Sequence, residues 1–413
     1  MASHPVVRQI SRWYIKPEFV SDESKHSFHL TPWDLSLLSA HYIQRGLLFS
    51  KPPPTNDPSI TIIDTLRDSL SRTLVQFLPL AGQLVTHKHE DPSSYSISIS
   101  LDCKNTPEVY FIHAVADVTT SDILSSIDVH PIVHSFYPLD KAVNHDGHTL
   151  PLLAVQVTNL LDGIFIACSF NHAVGDGTSY WHFFNAWAEI CRMVKGKHDQ
   201  ISCPPVLRRW FLDGHGPIIN LPFSHHDDFI DRYDQPPVDL RERFFHFFRQ
   251  SIARLKAKAN TECNTTTISS FQALSALVWR CVTLSRRHLP SHQKTSYKFS
   301  INNRSRMNPP LSPDYFGNCV RLVSVDAIVG ELLSHGIGWA ARLLHDAVNG
   351  HTDKAVRSGS ANKFDGKVYL YPGREGGGSV DLEVSLPAES MSAFESDPEF
   401  MDSVSPSRHH QMH

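Results

Sequence analysis

LLAVQVTNLLDGIFIACSFNHAVGDG, residues Leu152 to Gly177, sets two apolar runs on either side of one turn signal. Leu152–Val157 and Ile164–Phe170 have the length of strands and are apolar almost throughout. Asp162-Gly163 between them suits a tight hairpin turn. The stretch therefore predicts a buried hairpin. Its second strand runs into Asn171-His-Ala-Val-Gly-Asp-Gly177, and then into a helical stripe of Trp181, Phe184, Trp187, Cys191 and Val194. The order is strand, short glycine-containing loop, helix.

Upstream, Ile62, Leu66, Leu70, Leu74 and Phe77 recur every three or four residues and predict a helix within Thr61–Leu84. Pro79 stops it, and Leu80-Ala-Gly-Gln-Leu84 leads into a strand. Tyr95–Leu101 alternates apolar and polar residues, as a half-buried strand does. Trp33–Phe49 mixes a helical period with an apolar run. Downstream, Lys195–Pro222 is rich in Gly, Pro, Asp and Lys and reads as a long crossover. Helical patterns follow at Arg241–Ala259 and Phe271–Arg286, a strand at Tyr297–Ile301, and an Asn- and Pro-rich loop to Asn318. A strand at Val320–Val325, a helical stretch at Ala327–Val348, and strands at Lys367–Tyr371 and Val380–Leu386 complete the second half.

A chain of 413 residues exceeds what one core usually organises. The expected division is a domain over 1–194, a linker over 195–222 and a second domain over 223–413. Apolar residues are 41% and charged residues 19%, which excludes a disordered chain. The net charge of −4 and the lack of a basic tract argue against nucleic acid and anionic membranes as partners. The seven cysteines are scattered with no C-x-x-C pair, and no apolar run reaches membrane-spanning or signal-peptide length. The expectation is a reduced, cytoplasmic protein.

Histidine is the compositional oddity, at 26 residues. The pattern H-x-x-x-D occurs three times, at His87, His113 and His172, where chance alone gives roughly two. His87 lies in the charged run His-Lys-His-Glu-Asp91, which reads as a solvated loop. His113 lies in an apolar strand with no glycine beside it and reads as a satisfied strand residue. His172 sits at the end of a buried strand, with Gly175 and Gly177 to turn the backbone and leave space beside the ring. Asp176 is placed to anchor that loop or to hold an arginine. A histidine that titrates near neutrality can take a proton from a hydroxyl or amine as it attacks a thioester, and return one to the thiolate.

Other chemistries have weaker signatures. There is no G-x-S-x-G elbow and no Walker loop. Gly336-Ile-Gly-Trp-Ala-Ala341 fits a loose dinucleotide pattern but follows a helix. His225-His-Asp-Asp228 could touch a metal, yet no second ligand pair has a recognisable spacing, so it reads as a solvated loop and no metal is expected.

His172-Ala-Val-Gly-Asp-Gly177 resembles the H-x-x-x-D-G motif of the plant BAHD acyltransferases. Further segments are similar to that family along most of the chain. They are Leu30-Thr-Pro-Trp-Asp-Leu35, Phe77-Leu-Pro-Leu-Ala-Gly82, Arg209-Trp-Phe-Leu-Asp-Gly214, Ile268-Ser-Ser-Phe-Gln-Ala273, Val278-Trp-Arg280, Asn303-Arg-Ser-Arg306 and Tyr315-Phe-Gly-Asn318. The resemblance implies an α/β fold of mixed sheets, in two chloramphenicol-acetyltransferase-like domains with a channel between them. It implies acyl transfer from coenzyme A to a hydroxyl or amine of a small specialised metabolite, by a monomer without an acyl-enzyme or a bound cofactor. His172 is then the catalytic base, and Asp176 a structural residue paired with Arg304 or Arg306.

The family's D-F-G-W-G loop is absent. Family-like sequence breaks off near Gly350 and resumes at Lys354–Gly359 and Asn362–Gly366, so the second domain is expected to be shortened near 350–354. That departure raises the rival readings, a catalytically silent binder or truncated product, and a lyase on the same fold.

Overall fold

The computed structural model describes residues 6–20, 27–51, 61–91, 94–104, 108–193, 201–211, 216–230, 232, 240–351, 368–372 and 376–405. The chain forms two compact units: Met1–Ser125, His130–Arg232 and Asn302–Val320 make the first, and Ser126–Val129, Tyr233–Ile301 and Arg321–His413 the second. Residues 223–232 and 302–320 thus lie in the unit that holds His172, although a linear cut at 195–222 assigns them to the other.

The first unit contains β1 (Val7–Ile15), β2 (Ser27–His29), α1 (Pro32–Leu35), β3 (Ile43–Ser50) and α2 (Ile62–Gln76). It continues with β4 (Gln83–Asp91), β5 (Ser94–Asp102), β6 (Val109–Ala116), α3 (Thr120–Leu124), β7 (Leu153–Asn159), β8 (Gly163–Phe170) and α4 (Gly177–Arg192). Five strands form a sheet in the order β1-β6-β7-β8-β3, with β6 and β7 parallel and the other neighbours antiparallel. β7 is central, and Leu153 to Thr158 are all buried. One face carries the core that includes Leu70 and Leu74 of α2 and Phe183 and Trp187 of α4. The other meets Ile132 and Phe136. That two-sided cover is why the run lacks polar alternation. A smaller sheet has the order β2-β5-β4.

Three local readings change. The buried stripe of α4 is Tyr180, Phe183, Phe184, Trp187 and Ile190, whereas Trp181 is exposed and Val194 lies outside the described residues. The aromatic density of the helix hid the phase. His87 lies on strand β4 instead of a loop: His87 and His89 meet Ser100 and Ser98 through their Nε2 atoms, each at 2.8 Å. Helix α2 ends at Gln76, ahead of Pro79, and its start is closed by a Thr61–Asp64 capping box.

In the second unit, Arg241–Ala259 divides into β9 (Leu240–Phe247) and α5 (Arg249–Glu262). Phe245 and Phe247 are buried while Phe244 is exposed, so the strand period of two operates before the helix begins. After them come α6 (Ser270–Ser285), β10 (Lys294–Asn302), β11 (Val320–Ile328), α7 (Val329–Ser334) and α8 (Ile337–Gly350). β12 (Val368–Pro372), β13 (Val380–Pro387), α9 (Ala388–Glu395) and α10 (Pro398–Met401) close the described chain. Strands pair as β12-β13-β9 and as β10-β11. Helix α6 is buried on nearly every side from Gln272 to Trp279, the mark of a core helix. A Cβ at Gly338 would lie 2.6 Å from the Cβ of Glu262, and that carboxylate accepts the Gly338 amide at 2.7 Å. These glycines let α8 approach α5 and leave no phosphate cradle. The expected shortening near 350–354 falls on 352–367, outside the described residues beyond His351.

All seven cysteines are free thiols. Among the described residues no helix is long and apolar enough to cross a membrane.

Phe77 joins three parts of the first core, with ring contacts to His182, Phe183 and Phe316. Phe77→Ala should destabilise that unit by about 3–5 kcal/mol, the range for a buried aromatic. Urea unfolding followed by tryptophan emission measures it.

Candidate active site

Strand β8 ends at Phe170, and the next residues are tied down one by one. The Asn171 amide donates to Leu152 O at 2.8 Å, and its side chain donates to Asn144 O at 2.8 Å. The His172 amide donates to Asn144 Oδ1 at 2.6 Å, and Asn318 Nδ2 donates to His172 O at 2.7 Å. Both backbone groups of His172 are therefore occupied, and the ring has little freedom. The residue is half-buried, with its Nδ1 atom enclosed. Nδ1 and Asn318 Oδ1 are both buried without a hydrogen-bond partner among the described residues. Burial pulls the imidazole below the ordinary value of 6.5, while its own backbone, Asp176 and Asn318 oppose the shift. The neutral ring, the form that accepts a proton, is favoured.

Asp176 is fully buried at the N-cap of α4, where its Oδ1 accepts the Ser179 amide at 3.0 Å. Arg304, 4% exposed, meets the same carboxylate with two parallel bonds of 2.8 and 3.0 Å. Cys319 N donates to Oδ2 at 3.0 Å. The guanidinium is further saturated by Tyr315 O at 2.9 Å and Gly317 O at 3.1 Å. Of the two arginines in the short turn, Arg304 makes this pair, and Arg306, two residues on, is half-buried. The pair locks segment 302–320 onto the loop that follows His172.

The two loop glycines serve other ends than a left-handed backbone, which neither adopts. A Cβ at Gly175 would lie 2.7 Å from the Cβ of Ser179, so close packing requires glycine there. At Gly177 a Cβ would meet nothing within 4 Å.

Sequence reasoning missed four supporting residues. Asp34 is fully buried, accepts the Thr31 amide at 2.9 Å in the capping box of α1 and accepts Asn318 Nδ2 at 2.8 Å. Arg209 donates to Val174 O at 2.8 Å and lies 3.7 Å from Asp34. A Cβ at Gly317 would come within 2.2 Å of Arg209 Nη1, which explains the glycine before Asn318. Asp34, Arg209 and Asn318 stand in segments already picked out by their similarity to a family, but Asn144 carried no signal. His113 bonds Asn159 Nδ2 at 3.1 Å, as a satisfied strand residue, and lies with His87 away from this constellation.

Comparison with known proteins identifies the family and the fold of the chain. The Transferase family matches residues 6–363 and 352–401. An uncharacterised acetyltransferase of Arabidopsis thaliana is 37% identical over 84% of this chain and 77% of its own length. The BAHD acyltransferase DCR of the same plant is 30% identical over 96% of this chain and 92% of its own. The fold is similar to that of vinorine synthase, with a TM-score of 0.67 at 20% identity over 96% of this chain and 98% of that one. It is equally similar to TRI101 of F. sporotrichioides complexed with coenzyme A and T-2, at 17% identity over 92% and 99% of the two chains. The chain belongs to the Transferase family, as a BAHD acyltransferase with an α/β fold of mixed sheets.

Proposed function

We propose that this acyl-CoA-dependent acyltransferase uses His172 as its general base and acts on a hydroxyl or amine of a small specialised metabolite. The observation that carries the assignment is the placement of His172: its backbone is held by Asn144 and Asn318, its Nδ1 is enclosed, and burial lowers its pKa and so favours the neutral ring. In this reading Nδ1 holds the proton and Nε2 the reactive lone pair. Nε2 removes the acceptor's proton as its oxygen or nitrogen bonds to the thioester carbon. The tetrahedral oxyanion then collapses, the C–S bond breaks, and the coenzyme A thiolate takes the proton back from His172. No acyl-enzyme forms. Asp176, Arg304, Gly175 and Gly177 hold the loop, and Arg306 has no assigned step. The same reading takes the protein as a cytoplasmic monomer, with acyl-CoA as co-substrate and no cofactor at His172.

A second reading, a family member that binds without turnover, is favoured by the missing D-F-G-W-G string. Incubation with a panel of acyl-CoA thioesters and alcohol or amine acceptors separates the two. Acceptor-dependent thiol release supports the transferase, and ligand binding without release supports the binder.

His172→Ala should lower turnover by at least ~10²-fold, the scale of a lost general base, with little change in melting temperature. In the wild type, the acid limb of kcat/KM should fall below 6.5, because the neutral base is lost only as pH drops through the depressed value. The same depression means that the unfolded chain binds this proton first, so stability should also decline as pH falls below 6.5.

Asp176→Ala should cost about 3–5 kcal/mol by stranding the buried Arg304 charge, and Asp176→Asn should cost less. Chemical denaturation of the two variants beside the wild type measures both.

A further inference from the structure

The sequence sets His225-His-Asp-Asp228 aside for want of a second ligand pair, and the fold supplies one. His145 and His148 stand on a short 3-10 turn, Asn144–His148, and His226 comes from a loop 81 residues beyond His145. All belong to the first unit. One nitrogen from each of the three rings lies within 4.8 Å of the other two. His145 Nε2 and His226 Nδ1 are 2.6 Å apart, and the three ring centroids are separated by 4.6–4.7 Å. Asp227 Oδ1 lies 3.6 Å from His226 Nδ1 and 3.6 Å from His145 Nδ1.

We propose that His145, His148 and His226 form a three-histidine structural site for a borderline divalent transition metal of the zinc type. Three imidazoles, with water in the fourth position, are a donor set that such ions take in tetrahedral geometry. Metal–nitrogen bonds of about 2.0–2.1 Å set ligand nitrogens roughly 3.3 Å apart, so His145 and His226 need separate by less than ~1 Å. His148 is prepared in another way. Its Nδ1 meets the His145 carbonyl at 2.8 Å, which fixes the proton there and leaves the lone pair on Nε2. The Thr86 hydroxyl occupies that lone pair at 2.9 Å and would yield it to an ion.

An exposed loop of histidines explains these contacts less well. His145 is 3% exposed, so its ring is held inside the fold against His148 and His226 and is not part of a solvated loop. The structural consequence is specific. His145 follows Asn144, whose side chain receives the His172 amide, so an ion here fastens the 223–230 loop to the turn that carries the active loop. Arg232 makes a parallel tie to Asp146 at 2.8 Å.

The test is a titration of Zn2+ into chelator-stripped full-length protein, followed by calorimetry and thermal unfolding. Wild type should bind one ion per chain and melt at a higher temperature with it, because a ligand bound to the native state stabilises it. His148→Ala/His226→Ala should lose both effects, and so should His226→Gln, which covers the case of a double variant that does not fold. His288→Ala, at an exposed histidine, should keep them. Absence of stoichiometric binding, or binding and stabilisation that survive in His226→Gln, would overturn the site.

Discussion

The buried pair between Asp176 and Arg304 is the constraint from which the rest of the site follows. Two charges removed from water are tolerable only when geometry and hydrogen bonds are nearly complete. Here the carboxylate receives two guanidinium bonds and the amides of Ser179 and Cys319. It also caps α4, where the positive end of the helix dipole favours an anion. One group therefore fixes the start of a helix, the end of the His172 loop, and the segment 302–320. Segment 302–320 in turn presents Asn318, which holds the His172 carbonyl and whose side chain opposes the lowering of the ring's pKa. In the proposed mechanism the aspartate of the motif thus acts from a distance, through the position of a neighbour.

A second buried charge pair extends this scaffold. Asp34 accepts the Thr31 amide in the capping box of α1 and receives Asn318, while Arg209 lies beside it and bonds the Val174 carbonyl in the loop itself. Five separate chain segments, carrying Asp34, Asn144, Asp176, Arg209, and Arg304 with Asn318, thus converge around His172. Such convergence costs conformational entropy and yields a ring with few alternative positions, which is what proton transfer at a defined nitrogen requires.

Much of this was legible in the amino-acid sequence, for reasons that particular residues make plain. The hairpin could be read because β7 is covered on both faces, so its residues from Leu153 to Val157 are apolar apart from Gln156. The strand at His87 could not, because its exposed face pairs histidines with serines and carries no apolar alternation. Arg304 and Arg306 were equivalent on paper, and only the three-dimensional path of their turn separates them. Asn144 had no pattern at all, since its role is to receive one backbone amide. The histidine cluster was invisible for a related reason: its members meet only after 81 residues of intervening chain have folded.

The central claim is that His172 is a neutral base whose free lone pair is on Nε2, set by Asn318. Nitrogen NMR of the protein labelled in its histidine rings tests it most directly, with His172→Gln to assign the signal. The account predicts a neutral ring at neutral pH with its proton on Nδ1, and a tautomer that becomes mixed in Asn318→Leu. A ring charged at neutral pH, or a proton on Nε2 in the wild type, would contradict it.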